Sequence, residues 1–99
     1  MKESALRTKI VKALNSYAGS GKIFFYVNHQ TMYGTVGIAD ITGCYRGNFY
    51  ALEVKLPGKE HELTPRQSLF LQKIRKAGGK AAMVTSVDQA MTFVFDSIP

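Results

Sequence analysis

Two runs of β-favouring residues, "IADITGCY" (38–45) and "NFYALEVK" (48–55), stand on either side of Arg46-Gly47. Strand, short glycine-bearing turn and strand is a strong local signal for a hairpin. With Arg46 and Gly47 as the central turn residues, Tyr45 faces Asn48, Cys44 faces Phe49 and Asp40 faces Glu53. A four-residue loop from Tyr45 to Asn48 gives the same register. A three- or five-residue loop would shift it by one and separate the two acids.

That register creates a conflict. Directly opposed residues share one face of a hairpin, with Cβ atoms about 4.5–5.5 Å apart, and like charges there destabilise it. Ile38, Phe49 and Ala51 lie on or near the same face, so the surroundings are expected to be partly dry, where unpaired carboxylates are costly. A divalent cation resolves the conflict. Mg²⁺ takes oxygen ligands at about 2.0–2.1 Å, commonly one or two carboxylates with waters and substrate phosphate. Lys55, two residues beyond Glu53, points to the same face and could position a water or offset charge on a phosphate. The simpler alternative is a structural ion pair, in which Lys55 neutralises Glu53 and Asp40 starts a bend. The register, the shared face and the basic chain favour the metal.

The remaining chain supplies a frame for this hairpin. Its 99 residues suggest one compact domain spanning 1–99, and 45% hydrophobic content allows a modest core. Leu6, Ile10, Leu14 and Tyr17 fall at helical spacing, predicting a helix over 2–17 that "GSG" ends. "KIFFYVN" (22–28) reads as a strand and "HQTMYGTVG" (29–37) as a glycine-bearing loop. "LPGKEHEL" (56–63) is a polar loop. Thr64 caps a helix with Pro65 at its first position and Leu69, Phe70, Ile74 and Ala77 as its apolar stripe. "KAAMVTS" is a short strand. Ser86 caps a last helix carrying Val87, Ala90, Met91, Val94 and Phe95. The order αβββαβα implies an α/β fold: a mixed sheet of about four strands with helices on both faces. No apolar run approaches a membrane span, and MKESALRTKI is too polar for a signal peptide, which suggests an intracellular protein. The formal charge of +6 suits a polyanionic partner, or simply solubility.

Other residues carry weaker signals. Glu3 lies within the stripe of the first helix and could approach the acid pair; alone, it reads as a favourable charge at a helix N-terminus. Thr64-Pro65-Arg66-Gln67 is a capping box, so Gln67 has a structural role available. His29 and His61 sit in polar loops and read as solvent-exposed. Cys44, the only cysteine, excludes an internal disulfide and reads as packing. Arg46, Lys59 and Arg66 are candidates for phosphate contact, with Arg46 and Arg66 expected to flank the site; Lys73, Arg75 and Lys76 read mainly as solvated surface. No CxxC, HxxxH, GxSxG or phosphate-loop pattern occurs.

Asp40 followed by Glu53-Val54-Lys55 resembles the D…ExK signature of the PD-(D/E)xK nuclease superfamily. "ESALRTKIVKALN", "GIAD", "ALEVK" and "LTPRQSLFLQKIRKAGGKAAMV" together resemble the virus-type replication-repair nuclease (VRR-NUC) family, in order and over nearly all the chain. The resemblance implies a restriction-endonuclease-like fold. It implies that Asp40, Glu53 and the Val54 carbonyl hold Mg²⁺ or Mn²⁺, that Glu3 supports the metal, and that Lys55 is the catalytic lysine. Gln67 matches a glutamine on the helix after the core motif, so capping and a site role can coexist. Ala39 departs from the family's usual proline before the aspartate, a position that holds no metal.

The resulting expectation is a metal-dependent DNA endonuclease of branched substrates, above all four-way (Holliday) junctions. Selectivity would come from DNA shape, since 99 residues leave little room for a separate recognition domain. The resemblance also suggests a homodimer and a bacterial or phage-infected cytoplasm. Two alternatives stand beside it: a basic module that binds nucleic acid without cutting it, and a nuclease of flaps or of other DNA or RNA structures.

Overall fold

The computed structural model describes residues 1–18, 21–28 and 37–96. Helix α1 (Glu3–Ala18) is followed by strands β1 (Ile23–Val27), β2 (Ile41–Tyr45) and β3 (Asn48–Val54). A 3₁₀ turn at Glu60–Glu62, helix α2 (Pro65–Lys76), strand β4 (Lys80–Val84) and helix α3 (Val87–Phe95) follow among the described residues. The four strands form one mixed sheet in the order β1-β2-β3-β4. The first three pair antiparallel, and β4 runs parallel to β3 through the α2 crossover. The αβββαβα order and the helix-flanked mixed sheet are those the sequence implies. Most of the glycine-bearing loop, with His29, lies outside the described residues. No helix among them is long and apolar enough to cross a membrane.

The hairpin register is the one expected: Tyr45 pairs with Asn48, Cys44 with Phe49 and Ile41 with Leu52. Its turn is set by Arg46 (φ 51°) and Gly47 (φ 84°), both left-handed, as a two-residue I′ connection requires. Alternation along β3 then divides the core. Tyr50, Leu52 and Val54 face α1 and α3, where they meet Leu6, Ile10, Leu14, Ala90 and Val94. Ala51 faces α2 and packs with Ala39, Leu71 and Ala81. Gly43 lets the Tyr50 hydroxyl donate to the Phe24 carbonyl at 3.1 Å; a Cβ at residue 43 would lie 2.1 Å from that carbonyl oxygen.

Three packing expectations need correction. On α2 the inward residue is Leu71, with Phe70 and Ile74 beside it, while Leu69 and Ala77 are exposed. The small residues of the sheet beneath α2 admit the Gln67, Phe70, Leu71 and Ile74 face instead. Tyr17 is also exposed, although its ring meets Phe95 at 4.8 Å. Cys44 is exposed rather than packed, because α2 covers β3 and β4 and leaves this part of β2 open.

Candidate active site

The acid pair sits where the β2–β3 ladder stops. Regular pairing ends at Ile41–Leu52. One residue earlier, the Asp40 carboxylate takes the place of a backbone partner: its Oδ2 accepts from the Val54 N–H at 2.8 Å. The Asp40 backbone still belongs to the other ladder, its carbonyl accepting from the Asn28 N–H at 2.8 Å. Asp40 is therefore fixed from both sides, at the end of the sheet away from the hairpin turn. Gly37 (φ 87°) shapes the approach to it; a Cβ there would lie 2.9 Å from the Arg66 Cβ.

Glu53 is opposite Asp40 and almost wholly buried, at 2% exposure. Its Oε2 accepts from Gln67 Nε2 at 2.9 Å and lies 3.5 Å from the Lys55 ammonium. Its Oε1 is buried and has no hydrogen-bond partner among the described residues. Burial pushes the Glu53 carboxyl up to about 8; the Asp40 charge pushes in the same direction, and Lys55 opposes it. Lys55 is itself only 7% exposed. The Lys55–Glu53 ion pair anticipated as the simpler alternative is thus present, yet it serves one oxygen of Glu53 and leaves the other unsatisfied. A buried polar atom without a partner is uncommon and calls for a ligand or a proton.

Glu3 completes the cluster. One carboxylate oxygen from each of Glu3, Asp40 and Glu53 lies within 4.8 Å of the others. Oxygens bound to a single Mg²⁺ at about 2.1 Å are separated by about 3–4.2 Å, so the three would draw together slightly on loading. Oxygen-only donors, one of them an orphaned buried carboxylate oxygen, suit a hard divalent cation. The Val54 backbone meets the site through its N–H, which donates to Asp40.

Gln67 performs both roles open to it. Its backbone N–H donates to Thr64 Oγ1 at 3.1 Å, its Oε1 accepts from the Thr64 N–H at 2.9 Å, and its Nε2 donates to Glu53. The capping box pins one end of the amide while the other end sets the Glu53 carboxylate. Arg66 is exposed on the same first turn of α2, and Lys59 is exposed at the start of the 3₁₀ turn. Arg46 does not flank the site. It occupies the hairpin turn, with all of β2 between it and Asp40, a separation of about 20 Å along a strand.

Two residues enter the site without having been expected there. The Arg7 guanidinium approaches Asp40 Oδ1 at 3.4 Å. Asn28 donates from its side chain to the Ala39 carbonyl at 2.9 Å and to Thr42 Oγ1 at 3.2 Å. Arg7 follows Glu3 by four residues, so the two share a helix face; that spacing was a usable signal. Asn28 pairs across residues 29–37, and nothing local in the sequence marks it.

No protein-family model matches the chain, and no curated protein matches it.

Proposed function

We propose that the chain is a Mg²⁺- or Mn²⁺-dependent endonuclease that hydrolyses phosphodiester bonds in branched DNA, with four-way junctions as the favoured substrate and a homodimer as the working form. The observation that carries this reading is Glu53: a buried carboxylate with one oxygen held by Gln67 and Lys55, and the other unpartnered beside Asp40 and Glu3. The family resemblance supports the same residue roles. Asp40, Glu53 and Glu3 would hold the cation, with the Val54 carbonyl as a further oxygen. When bound, the cation would activate water for in-line attack and offset charge on the phosphate. Lys55 would donate a hydrogen bond to the attacking water or to a phosphate oxygen. Gln67 and the Val54 N–H orient the two carboxylates before the cation arrives, and Arg7 restrains Asp40. Arg66 and Lys59, exposed near the first turn of α2, would contact flanking phosphates.

One observation favours a second reading. Lys55 and Arg7 already sit beside Glu53 and Asp40, so the charges could be an internal network in a basic module that binds nucleic acid without cutting it. Labelled linear duplex, flap and four-way junction DNA, with an RNA duplex alongside, would be incubated with Mg²⁺, Mn²⁺ or EDTA. Metal-dependent cutting of a branched DNA by wild type, lost in Lys55→Ala with folding intact, is the expected result. Binding without cutting of any substrate would sink the nuclease and favour the module. Cutting confined to flaps or to RNA would overturn the proposed substrate.

A further inference from the structure

The sheet face that α2 leaves open carries three exposed aromatic rings in a defined pattern. Phe24 is 64% exposed, Tyr26 61% and Phe49 46%. The ladder aligns Phe24, Cys44 and Phe49 in one row across β1, β2 and β3, and Tyr26, Thr42 and Ala51 in the next. The site forms the row beyond: the Asn28 N–H donates to the Asp40 carbonyl, and Asp40 adjoins Glu53. Adjacent strands lie about 4.8 Å apart and residues i and i+2 about 6.7 Å apart, so Phe24 and Phe49 are separated by roughly 10 Å and Phe24 and Tyr26 by roughly 7 Å. Beside Phe24 lies a hollow of about 640 Å³, lined in part by Lys22, Cys44 and Arg46.

We propose that this face is a stacking platform for unpaired nucleotides, which leads a single strand along β1 and β2 toward the Asp40–Glu53 site. The strand's destination rests on the nuclease reading; the platform does not. Charge favours this occupant. Bases stack on exposed aromatic side chains while cations follow the backbone, and Lys22 and Arg46 supply cations at the end of the platform far from the site. A second copy fits less well. At about 200 Å² per ring the three exposed rings offer only roughly 350 Å², against about 800 Å² per partner in a stable interface, so any dimer contact lies elsewhere. The platform also defines the substrate more narrowly: a junction or splayed duplex with unpaired bases next to the bond to be cut.

Cys44, between Phe24 and Phe49, makes the idea directly measurable. In EDTA, thiol labelling of wild type would be followed with oligo-dT, with an abasic oligonucleotide of equal charge, and with blunt duplex. Oligo-dT should slow labelling at least fivefold, and the abasic chain less than twofold. Anisotropy should show Phe24→Ala/Tyr26→Ala weakening oligo-dT binding roughly 10- to 100-fold, with blunt duplex binding changed less than twofold. Equal protection by the abasic chain would overturn the platform. So would Cys44 protection that rises with protein concentration alongside a sedimenting dimer, which would make this face a contact between copies. Because nothing is cut in EDTA, the two readings fail separately. A protein with base-dependent protection but no nuclease activity keeps the platform, and one that cuts without it keeps only the nuclease.

Discussion

The buried Glu53 carboxyl should make the metal-free protein less stable as pH rises. In the folded state it titrates at about 8, against an ordinary value of 4.5. Between those values the folded chain holds a proton that the unfolded chain has released. The unfolded state therefore binds fewer protons, and stability falls with rising pH until about 8, beyond which the loss is complete. At ~1.4 kcal/mol per pH unit the interval corresponds to roughly 4–5 kcal/mol, and local relaxation with water entry should reduce the observed fall to about 2–4 kcal/mol. Glu53→Gln keeps the shape, retains an oxygen to accept from Gln67 and removes the titration. Denaturant unfolding in EDTA at half-unit steps from pH 5 to 9 measures both proteins. Wild type should lose stability from pH 5 to about 8 and then level off, and Glu53→Gln should give a flatter profile and be the more stable of the two above pH 8. A wild-type profile that is flat or rising from pH 5 to 8, or one that Glu53→Gln does not flatten, would refute the argument.

Adding Mg²⁺ should reverse that loss: thermal unfolding at pH 8 should show an increase in Tm that Glu53→Gln lacks, and calorimetric affinity should strengthen with pH up to about 8 as proton release becomes unnecessary. Gly43→Ala should lower Tm by about 10–20 °C, because a Cβ would meet the Phe24 carbonyl oxygen at 2.1 Å and the Tyr50 hydroxyl at 2.6 Å, a backbone conflict of about 3 kcal/mol or more. Arg7→Gln should cost under about 1 kcal/mol in unfolding free energy, since the pair is long and Arg7 partly exposed, yet reduce cleavage roughly tenfold by loosening Asp40. Unchanged cleavage would remove Arg7 from the site.

The hairpin was legible because its two constraints are local. Arg46-Gly47 accepts the left-handed turn, and period-two alternation then dictates which acids meet. The same register also puts five pairs between Arg46 and Asp40, so the distance of Arg46 from the site follows from the turn alone. Gln67 was legible as a cap; its contact with Glu53 depended on the rotation of α2, which is set by what the sheet offers. Ala39, Ala51 and Ala81 leave room for Leu71, and that choice turns Leu69 outward and Gln67 inward. Apolar spacing alone admits either rotation. The open face followed from the same cause: the 12 residues of α2 lie over β3 and β4, and among the described residues Phe24, Tyr26 and Cys44 stay exposed on that face.

Charge counting ties the site to its proposed ligand. Glu3, Asp40 and Glu53 contribute a formal −3, and Arg7 and Lys55 contribute +2, leaving −1 in a partly dry cluster. A proton on Glu53 brings that sum to zero, so the neighbouring Asp40 charge adds to burial, the larger cause, in pushing the Glu53 carboxyl up to about 8. A divalent cation in place of the proton brings it to +1, and one phosphodiester then returns it to zero. The metal-free cluster therefore offers a phosphate no net attraction, whereas the loaded cluster does. In Lys55→Ala, which prevents cutting, the same count runs from −1 with the Glu53 proton to 0 with the cation, so blunt duplex, which presents phosphates but no unpaired bases, is repelled less and should bind at least several-fold more tightly in Mg²⁺ than in EDTA at matched ionic strength. Oligo-dT, held mainly by its bases, should gain less. Duplex affinity that is indifferent to Mg²⁺ at matched ionic strength would mean that the backbone is held elsewhere on the basic surface, and that the Glu53 proton is only a cost of burial.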